Sequence, residues 1–397
     1  MKNIVKVGVI FDQPSTIGGG FTHAINLCED ILSIKNKEIE FKFYCFNNNA
    51  YKALVDKKIS SKIIKFNFLE KLLLKFWSIF FNNKIINFFK NSPLDNFFKD
   101  EDIDLVLFTN PSTESIFLKK TNFIYTLWDI CHADHPEFPE IRNNYEFVVR
   151  ENVYNWSCGM ATSVFVDSEM TANKISSRYN IDKSKTVKIN FYLSKFDDVS
   201  SPNKIVSEII NTEYFFYPAQ FWAHKNHIYI LKALKILKDE HNKIVKIVFV
   251  GSDRGNKDYI IKSCNELDLD KNQVIILDFV SNNNLYHLYK NSKGLIMPTY
   301  FGPTNIPPLE ALYLNVPIVY PLDLAVNEDF SDLIIQIDLN EVNSLVKAIL
   351  LLQNNNSFRA DLLKNFNERK KSIFDFDNKK KIIEKILLFK NKRDTWE

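Results

Sequence analysis

Met297–Pro321 reads MPTYFGPTNIPPLEALYLNVPIVYP. The apolar run Gly294–Met297 stops at Pro298, whose ring nitrogen has no hydrogen to give a sheet. A loop holding Gly302, Pro303 and Asn305 follows. The spacing then predicts a helix from about Pro307, since proline suits a first helical turn, with Glu310 in that turn. Pro317–Tyr320 is a second short apolar strand. Strand, loop, helix and strand in this order make one unit of a parallel α/β sheet.

The same alternation runs outward in both directions. Upstream in the second half, Tyr214–Tyr217, Ile244–Val250 and Val274–Leu277 read as strands, with helices over Ile228–Lys238 and Tyr259–Leu267. In the first half, Ile4–Phe11, Ile39–Phe46, Asp104–Phe108, Phe123–Leu127, Ser163–Val166 and Thr186–Tyr192 read as strands, with helices over Phe21–Leu32 and Met170–Tyr179. Between the halves lies the polar stretch KFDDVSSPNK, residues 195–204, the best linker. The predicted architecture is α/β with two Rossmann-like domains over 1–200 and 201–375, then a basic helical segment over 376–397. Ligands of such sheets bind beyond the carboxyl ends of the strands, which places a site in a cleft between the domains.

The chain has 397 residues, 46% hydrophobic and 25% charged, enough for two cores without covalent staples. A net charge of +3 is too small to point to nucleic acid. Cys28, Cys45, Cys131, Cys158 and Cys264 have no CxxC spacing, which suits buried thiols in a reducing cytoplasm rather than a metal or redox site. MKNIVKVGVIFD reads as a first strand rather than a signal peptide, and no uncharged apolar run is long enough to cross a bilayer.

With only nine glycines, those in loops are informative. Gly18, Gly19 and Gly20 follow the first strand and open a helix, as either a tight turn or an approach to an anion. They do not form GxGxxG. YPAQFWAHKNH, residues 217–227, places Lys225 near a helix start, where an ammonium neutralises a diphosphate or is merely solvated. His224 and His227 lack a further ligand for a metal. FVGSDRG, residues 249–255, is a strand running into a glycine loop with Gly251 and Arg254. Glu310 either complements its helix dipole or accepts hydrogen bonds from the vicinal hydroxyls of a ribose.

Met297–Pro321 resembles the signature of retaining family 4 glycosyltransferases, roughly P-S-x-x-E-G-F-G-x-P-x-x-E-A followed by P-V. Pro298, Pro307, Glu310, Ala311 and Pro317 are kept, Thr299 replaces the serine, and Gly302 stands where the first glutamate falls. The FGPTNIPPLEA form is a branch of that family. VSNNNLYHLY, residues 280–289, resembles the family's next helix upstream, and Gln220 with Lys225 matches an R-x4-K pair in which the arginine is lost. YTLWDICHADHPEFPE, residues 125–140, resembles an H-D-x5-P-E segment, with Trp128 for the histidine and Asp129 kept.

The resemblance implies a GT-B fold and transfer of a hexose or deoxyhexose from a GDP-, UDP- or dTDP-linked donor to a glycan or lipid-linked saccharide, with retained configuration. Surface polysaccharide of O-antigen or capsule type is the implied setting, with no cofactor and no metal. It implies donor contacts from Gly18, Gly19, Gly20, Gln220, Lys225, Gly251, Arg254, Phe279, Val280, Gly302, Thr304, Asn305, Ile306 and Glu310. Lys225 would stabilise the leaving diphosphate, with Asp129 and His132 beside the acceptor. A non-catalytic GT-B binding subunit and a GT-B nucleotide-sugar epimerase are the alternatives. Residues 62–90 are basic and aromatic, with a polar stripe through Lys71, Lys75, Ser78 and Asn82. They form either an interfacial helix on the inner membrane leaflet or a core helix with lysines reaching out.

Overall fold

The computed structural model describes residues 4–13, 18–80, 92–196, 199–302, 305–325 and 330–396. The chain divides into two compact units, Met1–Tyr192 with Asp377–Glu397, and Leu193–Phe376. Each is built on a parallel sheet.

The first unit contains β1 (Val5–Ile10), β2 (Ile39–Cys45), β3 (Ser61–Ile63), β4 (Leu105–Phe108), β5 (Asn122–Leu127), β6 (Ser163–Val166) and β7 (Thr186–Lys188). Their order across the sheet is β3-β2-β1-β4-β5-β6-β7, all neighbours parallel. β4 and β6 are buried along their whole length, as strands covered by helices on both faces must be. The second unit contains β8 (Phe215–Pro218), β9 (Ile247–Val250), β10 (Val274–Leu277), β11 (Leu295–Ile296), β12 (Ile318–Pro321) and β13 (Ile335–Ile337), ordered β10-β9-β8-β11-β12-β13. In each sheet growth reverses beside the first strand, between β1 and β4 and between β8 and β11. Those reversals are the switch points where the loops part and ligands of doubly wound sheets lodge.

The strands expected from apolar runs are present within a few residues at their ends. β3 and β13, three residues each, carry too little apolar pattern to be read from sequence. The helix after β1 begins at Gly18 rather than Phe21, so the three glycines form its first turn instead of a loop. The helix after β11 is Ile306–Tyr313, which moves Glu310 out of the first turn and removes the dipole reading for it. Of the predicted linker, residues 197–198 fall outside the described part, and a helix begins at Lys204.

The final helix, Asn378–Arg393, packs on the first unit. Ile382, Ile386 and Phe389 join the core made by Val5, Val7 and Val9. Its ends are tied by polar contacts. Asn378 accepts from the Asn190 amide at 3.0 Å and donates to the Asn190 carbonyl at 2.9 Å. Arg393, 2% exposed, meets Asp104, 5% exposed, at 2.9 Å, and also donates to the Ile4 carbonyl. A buried pair broken on one side leaves an uncompensated charge. Arg393→Ala should therefore cost about 3–5 kcal/mol in urea unfolding, with much of the loss recovered in Arg393→Ala/Asp104→Asn. Equal losses in the single and double variants would show that packing, not charge, is what Arg393 supplies.

Candidate functional site

The second unit assembles its site from the loops that leave β8, β9 and β11. After β8 the backbone lies against the end of β9. A Cβ on Gly251 would stand 2.2 Å from the Ala219 carbonyl oxygen and 2.8 Å from the Gln220 Cα. Only glycine permits that approach. The Phe221 amide then donates to the Ser252 carbonyl at 3.0 Å, which holds the two loops side by side. The loop after β9 is braced by Asp253, which accepts from the Gly255 amide at 2.8 Å and the Lys257 amide at 3.3 Å. These bonds, with that from Gly255 the largest cause, hold its carboxyl below the usual range.

Gln220 accepts from the Trp222 indole at 3.0 Å, and the Arg254 guanidinium lies 5.7 Å from the centre of that ring. Gln220, Gly251 and Arg254 are thus brought together. The next turn, Ala223–Lys225, ends at Asn226 in the left-handed conformation. His224 stacks on Phe301 at 4.0 Å and 14°, and its carbonyl accepts from the Tyr300 amide at 2.9 Å. These contacts join the β8 loop to the β11 loop. His227 points elsewhere: it is buried against Tyr217, Phe221 and Phe249, and burial lowers its pKa to about 3. It is a neutral core ring. Among the described residues no three His, Cys, Asp or Glu gather to hold a metal.

Lys225 Nζ lies 3.3 Å from Asn305 Oδ1. Asn305 precedes the helix Ile306–Tyr313 but does not cap it with its side chain. Instead its Nδ2 donates to the Tyr320 hydroxyl at 2.6 Å and the Gly302 carbonyl at 3.1 Å. Gly302 has φ +127°, and a Cβ there would meet Asn305 at 2.4 Å, so the loop fits around that side chain. The helix's first three residues are Ile306, Pro307 and Pro308. Two of them have no N–H, so at this end the backbone donors are those of Asn305 and Ile306. Thr304 lies outside the described residues.

Glu310 is buried. Its Oε1 accepts from the Ser194 hydroxyl at 2.5 Å and its Oε2 from the Tyr289 hydroxyl at 2.9 Å. Burial raises its pKa, and these hydrogen bonds oppose the shift. The Ser194 amide adds a third bond to Oε1 at 3.3 Å, so of a carboxylate's roughly four acceptor positions one is left for a ligand hydroxyl. Val280 packs at the edge of the core, and Phe279 is 60% exposed beyond β10.

In the first unit Trp128 explains one glycine. A Cβ on Gly20 would stand 2.7 Å from its ring, so the indole lies directly on the helix's first turn. Gly18 has φ +38° and open space around it. Asp129 accepts from the Cys131 amide at 2.9 Å and lies 3.8 Å from Arg150. His132 is not in a loop. It lies in the short helix Cys131–Asp134 with 0% exposure. Its Nε2 is 2.8 Å from Glu151, which Arg178 and Tyr179 also hold. Burial is the largest influence on the His132 imidazole and lowers its pKa.

The residue that sequence reading missed is Asp12, at the β1–β4 switch point. Its amide donates to Asn110 at 3.1 Å, and its carboxylate accepts from Asn47 at 2.5 Å. Burial, then the nearby Glu114 charge, raises its pKa to about 7. Its position just after the first strand was the available signal, but the shift comes from burial, which sequence does not display.

The family profile Glycosyl transferases group 1 matches residues 203–372, which lie within the second unit. The O-antigen chain mannosyltransferase RfbU of Salmonella typhimurium is 26% identical over 223 residues, covering 55% of this chain and 58% of RfbU. The capsular polysaccharide biosynthesis glycosyltransferase CapH of Staphylococcus aureus is 31% identical over 139 residues, covering 34% of this chain and 36% of CapH. Each match spans less than two thirds of the relative. The structure of Anabaena Alr3699/HepE in complex with UDP-glucose has TM-score 0.65 at 16% identity, covering 98% of this chain and 99% of that one. That likeness is one of fold: two Rossmann-like domains of the GT-B class.

Asp12 yields a test. Its folded pKa of about 7 lies above the ordinary 3.8, so between these values the folded chain keeps a proton that the unfolded chain releases. The group therefore lowers stability progressively as pH rises from about 4 to about 7. Asp12→Asn should gain melting temperature over the wild type across that window and keep the gain above it. Parallel pH curves for the two proteins would show that Asp12 titrates normally.

Proposed function

We propose that the protein is a retaining glycosyltransferase. It moves a hexose or deoxyhexose from a GDP-, UDP- or dTDP-linked donor to a lipid-linked glycan during surface-polysaccharide assembly at the cytoplasmic face of the membrane. The observation that carries this reading is the grouping of Lys225, Asn305 and the N-terminal end of helix Ile306–Tyr313 at the β8–β11 switch point inside the group 1 domain. The named relatives in O-antigen and capsule synthesis support the setting.

On this reading the donor diphosphate lies against Lys225 and the Asn305 and Ile306 amides, and Glu310 takes the ribose hydroxyls. The bond from the sugar's anomeric carbon to the diphosphate breaks as the acceptor oxygen bonds to that carbon on the same face. The acceptor's proton passes to the departing diphosphate. The protein's part is to position both substrates and stabilise the leaving charge, chiefly through Lys225. Asp129, partly exposed in the first unit, is the acceptor-side candidate. A non-catalytic nucleotide binder is the second reading. Gln220 favours it, because this neutral side chain stands where the family pattern has a cation.

A melting-temperature screen with GDP, UDP and dTDP identifies the nucleotide, since a ligand of the folded state raises its apparent stability. Against the responding nucleotide, Glu310→Ala and Glu310→Gln should weaken affinity by roughly tenfold or more, as expected for losing hydrogen bonds to a charged group. An unchanged dissociation constant in both removes the ribose assignment. Lys225→Ala should reduce kcat by on the order of a hundredfold if its charge acts on the leaving group. Nucleotide binding with no transfer to any lipid-linked saccharide would instead establish the binder.

A further inference from the structure

The helix Phe68–Ile79 is held firmly on one side only. Asn67 and Glu70 form a reciprocal capping box at its start. Asn152 donates to the Ser78 carbonyl at 2.9 Å and the Ile79 carbonyl at 3.0 Å near its end. Trp77 is the inward anchor, 3% exposed, edge-on to Phe117 at 5.2 Å and covered by Lys119 at 4.9 Å. Leu74 packs on the same core.

The opposite side is apolar and open. Phe68 is 79% exposed, Leu69 67%, Leu72 56%, Phe76 46% and Phe80 61%. Phe68, Leu72, Phe76 and Phe80 follow one another at every fourth residue, which makes a continuous ridge along one helix face. The expectation of a core helix with lysines reaching out is therefore corrected. Ser78, expected on the polar stripe, is buried beside Trp77, while the large apolar residues point to solvent. Phe81, Asn82 and residues 83–90 of the predicted segment lie outside the described residues. A capped, anchored helix that presents five large apolar side chains to water is costly unless something covers them.

The charge beside the ridge indicates what that is. Lys71 and Lys75 are exposed and, at about 100° per residue, flank the Phe68 edge of the apolar sector. Lys65, just before the helix, is also exposed. Over residues 61–80 there are four lysines and one glutamate, a balance of +3, equal to that of the whole chain. An apolar face bordered by ammonium groups complements a bilayer surface, with hydrocarbon beneath anionic headgroups. A second protein copy would set these lysines against their own like charges. We infer that the helix Phe68–Ile79 docks the protein on a bilayer containing anionic lipid, with the Phe68–Leu72–Phe76–Phe80 ridge inserted and Lys71 and Lys75 at the headgroups. This deepens the reading of transfer to a lipid-linked acceptor and rests on it for its purpose, though not for its test. Among the described residues no helix is long and apolar enough to cross a membrane, so the contact is one of lying on the surface.

The test is co-sedimentation of the full chain with phosphatidylcholine vesicles, with and without phosphatidylglycerol, at low and high salt. Binding should require phosphatidylglycerol and fall with salt. Leu72→Glu/Phe76→Glu should weaken it by at least about tenfold, and Lys71→Glu/Lys75→Glu should remove the preference for phosphatidylglycerol. Both changes lie on solvent-facing positions, and an unchanged melting temperature confirms folding. Wild-type protein that stays in solution, or variants that sediment as it does, would overturn the proposal. So would a dimer that dissociates on Leu72→Glu/Phe76→Glu, because the ridge is then covered by a second copy. Nucleotide-induced stabilisation of the same samples separates the two ideas. A nucleotide response without vesicle binding removes docking and leaves transfer standing, while vesicle binding without any nucleotide response does the reverse.

Discussion

The second unit depends on a backbone contact too close for any side chain. Gly251 ends β9 directly beneath Ala219 and Gln220, and a Cβ there would collide with the Ala219 carbonyl oxygen at 2.2 Å. Because the two loops touch there, the Phe221 amide reaches Ser252 and the chain leaves β8 in one direction. That direction carries His224 onto Phe301, and the stack fixes the loop after β11. Asn305 then fastens the loop to Tyr320 and stands 3.3 Å from the Lys225 ammonium. One missing methyl group thus sets where a cation sits several residues away. The sequence of contacts is short, and each link is a packed or hydrogen-bonded pair rather than a flexible one.

The strands were legible because they are buried on both faces and so read as unbroken apolar runs, as in SVFV of β6 and IVFV of β9. β3 and β13 escaped for the same reason in reverse: three-residue edge strands, SKI and IQI, need little apolar surface. In the candidate site, Lys225 and Glu310 stand out by residue type, and Lys225 also by its place in a strand-to-helix turn. The role of Asn305 was not, because a residue before a helix is expected to cap it, whereas this one turns back to Tyr320. Neither the raised pKa of Asp12 nor the burial of His132 is visible in the sequence. Their chemistry follows from burial, which raises one pKa and closes the other side chain away from solvent. For the helix Phe68–Ile79, composition is the same whether it lies in a core or on a surface. Only the inward placement of Trp77 decides which face is free.

The prolines of the β11 loop make a further point about charge. A helix N-terminus usually meets an anion with several aligned N–H groups. Here Pro307 and Pro308 remove two of those donors, and Gln220 contributes a dipole to Trp222 rather than a positive charge. Under the proposed function the leaving diphosphate then has few fixed partners in this unit, and Lys225 carries more of the stabilisation than one cation among several would. Arg254, resting on the Trp222 ring beside Gln220, is a second source of positive charge on the loops that form the site. Under the proposed function, Arg254 places on the β9 loop a positive charge that the resembled pattern puts at position 220 on the β8 loop. The close approach at Gly251 makes this possible, since it is what brings those two loops within reach of one indole ring.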